Sequence, residues 1–155
     1  MRQLSQLLKI CLLITCVLLA TLNGAQIAFA DDRYALVIGN GAYVNVDRLR
    51  NPPNDARLVS EALEKVGFSV TTLIDADLES MDQAVTDFTT TLDSAGENTV
   101  GLFYFAGHGI GYQGENWLIP VNADVSQAAH LKYRTLSANF VLSMMEAASN
   151  ATDLI

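Results

Sequence analysis

The sequence predicts an α/β domain on a doubly wound, mostly parallel sheet with helices on both faces, and three observations carry that expectation. Val100 to Phe105 is apolar on both alternating faces, as in a strand covered from two sides. Apolar, β-branched runs alternate with segments whose apolar residues recur at i, i+3, i+4 and i+7, in the order strand, helix, strand, helix, strand, helix, strand. The central run ends at Gly107-His108-Gly109, and in open α/β sheets ligands bind beyond the carboxyl ends of the strands. Right-handed crossovers are expected. There are no internal repeats and no low-complexity tracts.

With 155 residues, half of them hydrophobic, the chain has room for one globular domain plus a targeting segment. Met1 to Ala30 supplies the second: Arg2 and Lys9, then the apolar run Ile10 to Leu22, then small residues ending Ala28-Phe29-Ala30. This is the pattern of a secretory signal peptide, which implies a secreted or periplasmic protein. A membrane anchor is the alternative, but the run is short of the ~20 apolar residues a span needs. The domain is therefore expected at residues 31–155.

Within it, Arg33 to Ile38 is the first strand, ended by Gly39-Asn40-Gly41. Without a third glycine opening a helix, that triplet is a strand-to-loop turn rather than a phosphate cradle. The long loop Ala42 to Pro53 carries Asp47, Arg48 and Arg50. Asn54 is the expected N-cap of a helix whose Val59, Ala62, Leu63 and Val66 form one apolar stripe, closed by Gly67. Phe68 to Ile74 is the second strand and Asp75 to Leu78 a turn. Met81, Ala84, Val85, Phe88 and Leu92 repeat the helical spacing up to Gly96 and are core positions. Thr99 to Phe105 is the third strand. After it comes a glycine-rich loop, Ala106 to Asn116, expected to be free to close over a ligand. Trp117 to Pro120 is a short extended piece whose proline keeps it off a central ladder. Beyond a polar loop, Ser137 caps a third helix with Val141, Met144, Met145 and Ala148 on one face, and Asp153 opens a fourth strand.

Removing Arg2 and Lys9 leaves seven cations against seventeen acids, a net charge of −10 for the domain. An acidic domain with no basic cluster argues against nucleic acid or an anionic membrane as partner. Both cysteines, Cys11 and Cys16, lie in the leader, so the domain holds no thiol for a disulfide, a zinc site or a nucleophile. No G-x-S-x-G elbow, phosphate loop or metal-ligand spacing is present. His130 sits in a polar stretch and is expected to be a solvated side chain rather than a metal partner of His108.

The loops leaving the first and third strands share one rim, which is expected to bring Arg50 and Asp55 near His108. Histidine suits general-base work because its ordinary titration range lies near neutral pH. The segment F-Y-F-A-G-H-G-I, followed by E-N-W-L-I-P-V-N-A-D, resembles the histidine loop of the caspase-like cysteine peptidases: caspases, metacaspases and their bacterial relatives. Tyr34 to Asn40, Y-A-L-V-I-G-N, and Leu49 to Ala56, L-R-N-P-P-N-D-A, extend the likeness over nearly all the chain after residue 30.

That resemblance implies a cysteine endopeptidase with a central-sheet α/β domain, acting on protein or peptide substrates. His108 is then the base, and the backbone N–H of Gly109 an oxyanion donor. The family's cysteine lies just after the fourth strand, so the nucleophile is expected beyond Ile155, with the chain as given inactive alone and the third strand's outer edge poorly covered. Asp55 matches the metacaspase aspartate that selects Arg or Lys at the cleavage site, where carboxylate and guanidinium make paired charge-assisted bonds. A carboxylate in the first turn of a helix is also favoured by the helix dipole alone. Arg50 is the rival, matching the arginine that selects acidic residues in animal caspases. No cofactor is expected; some metacaspases respond to calcium, but nothing in this sequence identifies such a site. The alternative is a catalytically inactive pseudoenzyme or peptide-binding module that keeps the groove without the thiol.

Overall fold

A computed structural model describes residues 32–148 and 152–154, the last three as backbone only. The chain divides into two units, 1–30 and 31–155, and the expected signal peptide lies outside the described residues. Four strands form one parallel sheet: β1 (Asp32–Gly39), β2 (Ser69–Ile74), β3 (Thr99–Ala106) and β7 (Thr152–Leu154), in the order β2-β1-β3-β7. β1 lies at the centre, in register with β2 from Tyr34↔Ser69 and with β3 from Asp32↔Thr99. β7 pairs with Val100 to Leu102.

Because successive side chains of a strand point to opposite faces, the run Ala35-Leu36-Val37-Ile38 divides between two cores, and all four residues are at most 1% exposed. Ala35 and Val37 face helix α1 (Pro52–Lys65), packing with Ala56, Val59 and Leu63. Leu36 and Ile38 face helices α2 (Leu78–Ala95) and α4 (Ala138–Ala147), packing with Met81, Val85, Leu92, Val141 and Met145. At roughly 1.5–3 kcal/mol for each large apolar side chain buried, this two-sided covering holds β1 and the loop it feeds in place. The sheet is thus doubly wound, as expected.

The helix ends follow from their residues. Asp77 caps α2, its Oδ1 accepting from Ser80 N at 2.9 Å, and Gly96 ends it at φ 85°. Ser137 caps α4, its Oγ accepting from Phe140 N at 3.2 Å. α1 departs from expectation: it begins at Pro52, with Asn51 rather than Asn54 at the cap and no side-chain capping bond. Two prolines explain this, since Pro52 and Pro53 carry no N–H to be capped and are already fixed near helical φ.

The segment Ala106 to Asn116 is not a free loop. It holds strand β4 (Gly109–Tyr112), which pairs antiparallel with β5 (Glu115–Leu118); β5 pairs in turn with the two-residue strand β6 (Leu136–Ser137). The hairpin turns through Gln113 at φ 53° and Gly114 at φ 82°, the double left-handed pair that matches the twist of a two-residue hairpin. Pro120 lies past the end of β5, clear of the ladder. The expected polar loop before Ser137 contains a 3₁₀ turn (Ala128–His130) and a short helix, α3 (Leu131–Arg134).

Candidate active site

The site is built where β1 and β3 end side by side. Asn40, completely buried, ties that corner together. Its backbone N–H donates to Ala106 O at 2.8 Å, its Nδ2 to Ala76 O and Ile119 O at 3.2 Å each, and its Oδ1 accepts from Ala76 N at 2.8 Å. Asp75, held at φ 56°, accepts from the N–H groups of Gly41 and Ala42 at 2.8 Å each. Farther along, Val44 N donates to Val121 O and Leu49 N to Gly41 O, both at 3.0 Å. The connection from β1 to α1 is therefore fastened at several points rather than loose.

That fastening delivers two groups to His108. The carbonyl oxygen of Asp47 lies 2.8 Å from His108 Nε2. A carbonyl only accepts, so Nε2 carries a proton, and Nδ1 is the nitrogen left to accept one. Tyr43, 2% exposed, packs its ring on the imidazole, with centroids 4.7 Å apart and planes at 53°. Its hydroxyl accepts from His108 N–H at 2.8 Å and donates to Ile119 O at 3.2 Å. Burial raises the Tyr43 pKa above its usual value. His108 itself is half-buried.

The two flanking glycines serve different ends. Neither has the positive φ of a sharp glycine turn. At Gly107 a Cβ would come within 2.5 Å of the Tyr43 hydroxyl, so a side chain there is excluded by contact. At Gly109 a Cβ would meet only Trp117 O, at an ordinary 3.5 Å. Gly109 pairs with Leu118, and on either side His108–Ile119 and the turn-closing Tyr112–Glu115 fall at hydrogen-bonded positions of the alternation. Gly109 is hence at a non-bonded position, and its N–H points away from β5.

Arg50 and Asp55 lie in the same connection, both exposed, Asp55 in the first turn of α1. Neither side chain bonds to His108 or to any other described residue. His130 is half-buried rather than solvated, its Nδ1 out of solvent and without a partner among the described residues. Among those residues no group of three or more His, Cys, Asp or Glu is placed to hold a metal ion. A cleft of about 760 Å³ beside Trp117, Lys132 and Phe140 includes none of the groups around His108, so the chemistry and not the void locates the site. Tyr43, Asn40 and Asp75 were not singled out from sequence; their signal was a buried-type aromatic in a polar loop and polar residues directly after strands.

Fold and site together define an α/β domain with an imidazole anchored on the carboxyl rim of a parallel sheet. The chain belongs to the caspase domain family, whose profile matches residues 32–149, about three quarters of it. It is similar to the mucosa-associated lymphoid tissue lymphoma translocation protein 1 of Homo sapiens and to its homolog in Mus musculus, each 35% identical over 94 residues. Those matches cover 61% of this chain and 11% of each relative, so the chain spans about a ninth of their length.

Proposed function

We propose that this domain is the histidine-bearing part of a cysteine endopeptidase of the caspase type. The observation that carries the reading is the bond between His108 Nε2 and the Asp47 carbonyl, which leaves Nδ1 as the proton acceptor. In the proposed reaction Nδ1 takes the proton of a thiol, the thiolate sulfur attacks the scissile carbonyl, and the imidazolium returns the proton to the leaving amine. The outward N–H of Gly109 donates to the oxyanion of the tetrahedral intermediate. Residues 32–154 contain no cysteine, and the thiol is proposed to follow the fourth strand, beyond Ile155. Asp55 is proposed to select Arg or Lys at the cleavage site, with Arg50 the residue to test if cleavage follows acidic residues. The leader at residues 1–30 is proposed to direct the protein to the periplasm or out of the cell.

The test is His108→Ala in the full-length protein that includes the thiol. Peptide hydrolysis should fall by about 10²–10⁴-fold, with the circular dichroism spectrum unchanged. Undiminished hydrolysis would exclude His108 as the base. Peptide binding without turnover in the unmutated protein would instead favour the binding module.

A further inference from the structure

Resting on the proposed role of His108, we infer that the Tyr43 hydroxyl is a wedge in the β4–β5 ladder that sets where the imidazole sits, making Tyr43 a positioning residue of the reaction. The register Gly109↔Leu118 places His108 opposite Ile119. Residues at such a hydrogen-bonded position exchange two N–H···O bonds. Only one is made directly, from Ile119 N to His108 O at 3.0 Å. The reciprocal bond is replaced by a relay: His108 N–H donates to the Tyr43 hydroxyl at 2.8 Å, and that hydroxyl donates to Ile119 O at 3.2 Å. One phenolic oxygen is thus interposed where the strands would otherwise close.

Three features show that the place is made for it. Gly107 lacks the side chain that would collide with the hydroxyl. Tyr43 is 2% exposed, so water does not compete for either bond. The same connection that carries Tyr43 also presents the Asp47 carbonyl to Nε2, so a single segment holds His108 by its backbone N–H, its ring face and its distal nitrogen. Burial keeps the phenol protonated, so the relay is intact at neutral pH. Without the hydroxyl the His108 N–H closes onto Ile119 O, moving the imidazole toward β5 by on the order of 1 Å, and a displacement of that size can cost a reaction about 10²-fold.

The experiment is Tyr43→Phe in the full-length protein carrying the thiol, with His108→Ala beside it. The expected result is a kcat lowered by about 10–100-fold at a KM unchanged within about twofold, together with shifted His108 ring signals in long-range ¹H–¹⁵N spectra. Gly107→Ala would crowd both the hydroxyl and the Phe105 ring, forcing the Tyr43 hydroxyl off its two bonds, and should also lower kcat. Wild-type kcat in either folded variant, or unmoved ring signals in Tyr43→Phe, would overturn the inference. Full activity in His108→Ala would instead remove the base reading on which it rests.

Discussion

Replacing Asn40 by alanine should expose how much the corner between the two sheets depends on one carboxamide. Asn40 is 0% exposed, and its loss removes one partner from each of three backbone groups: Ala76 N, Ala76 O and Ile119 O. The two carbonyls keep a second donor, Val121 N–H at 3.1 Å for Ala76 and the Tyr43 hydroxyl at 3.2 Å for Ile119. The Ala76 N–H keeps none, and a buried orphan donor costs about 1–3 kcal/mol. Two weakened acceptors and the void left by the amide bring the expected loss to about 2–4 kcal/mol. Urea unfolding followed by circular dichroism should show it as a midpoint lowered by about 1–2 M, for a slope of about 2 kcal/mol/M. Asn40→Asp is the sharper control. It keeps an acceptor for Ala76 N–H but sets a buried carboxylate against two carbonyl oxygens, so at pH 7 it should be less stable than Asn40→Ala and should recover as acid protonates it. An Asn40→Ala midpoint within about 0.3 M of the parent, or Asn40→Asp the more stable of the two at neutral pH, would refute the reasoning.

Other outcomes follow from the same contacts. Gly39→Ala would place a methyl 2.5 Å from Pro52 O and 2.6 Å from Ala56 Cβ, so α1 must lift from β1, at a cost of about 1–3 kcal/mol readable in thermal melts. Tyr43 has a folded pKa raised above its ordinary 10.0, so the stability it contributes is complete below about pH 10 and is lost as pH rises from there through the raised value; Tyr43→Phe should flatten that alkaline loss in urea midpoints taken at stepped pH. The selectivity proposed for Asp55 is tested on a panel of peptides differing at the cleavage site: under that proposal Asp55→Ala loses hydrolysis after Arg and Lys while Arg50→Ala keeps it. The reverse pattern, with acidic residues cleaved by the parent, would assign the selectivity to Arg50.

Much of the scaffold was legible in the sequence because its signals are local. The first three strands lie within a residue or two of expectation, since Val100 to Phe105 and Leu36 to Ile38 are too apolar to lie anywhere but between two layers. Of the stripe expected on α1, Val59 and Leu63 pack on the sheet, whereas Ala62 and Val66 are exposed and Ala56 takes the buried place. Ser137 announced its helix by the hydroxyl that caps it. Asn54 has the chemistry of a cap but lies inside α1, whose start is set by the two preceding prolines, already fixed near helical φ. The sequence shows Trp117 and Leu118 as extended but reads as a loop from Ala106 to Asn116, because the hairpin strands are four residues each and the turn rests on Gln113 in a left-handed conformation that residue type does not advertise.

The division at the site has the same cause. By itself the sequence determined that an imidazole flanked by glycines stands at the end of a buried strand, because that follows from composition within ten residues. It also pointed to the family, through motifs that all lie within the residues 32–149 matched by the caspase domain profile. Only the tertiary structure decided how the imidazole is held. The Asp47 carbonyl, 61 positions away, orients the ring, and the Tyr43 hydroxyl, 65 positions away, holds its backbone. A carbonyl belongs to every residue and a loop tyrosine has no periodicity. What selects these two is the parallel pairing of β1 with β3, which sets their exits side by side, and the Asn40 bonds that hold the first exit against the second, while Asp75 fastens the first exit to the end of β2.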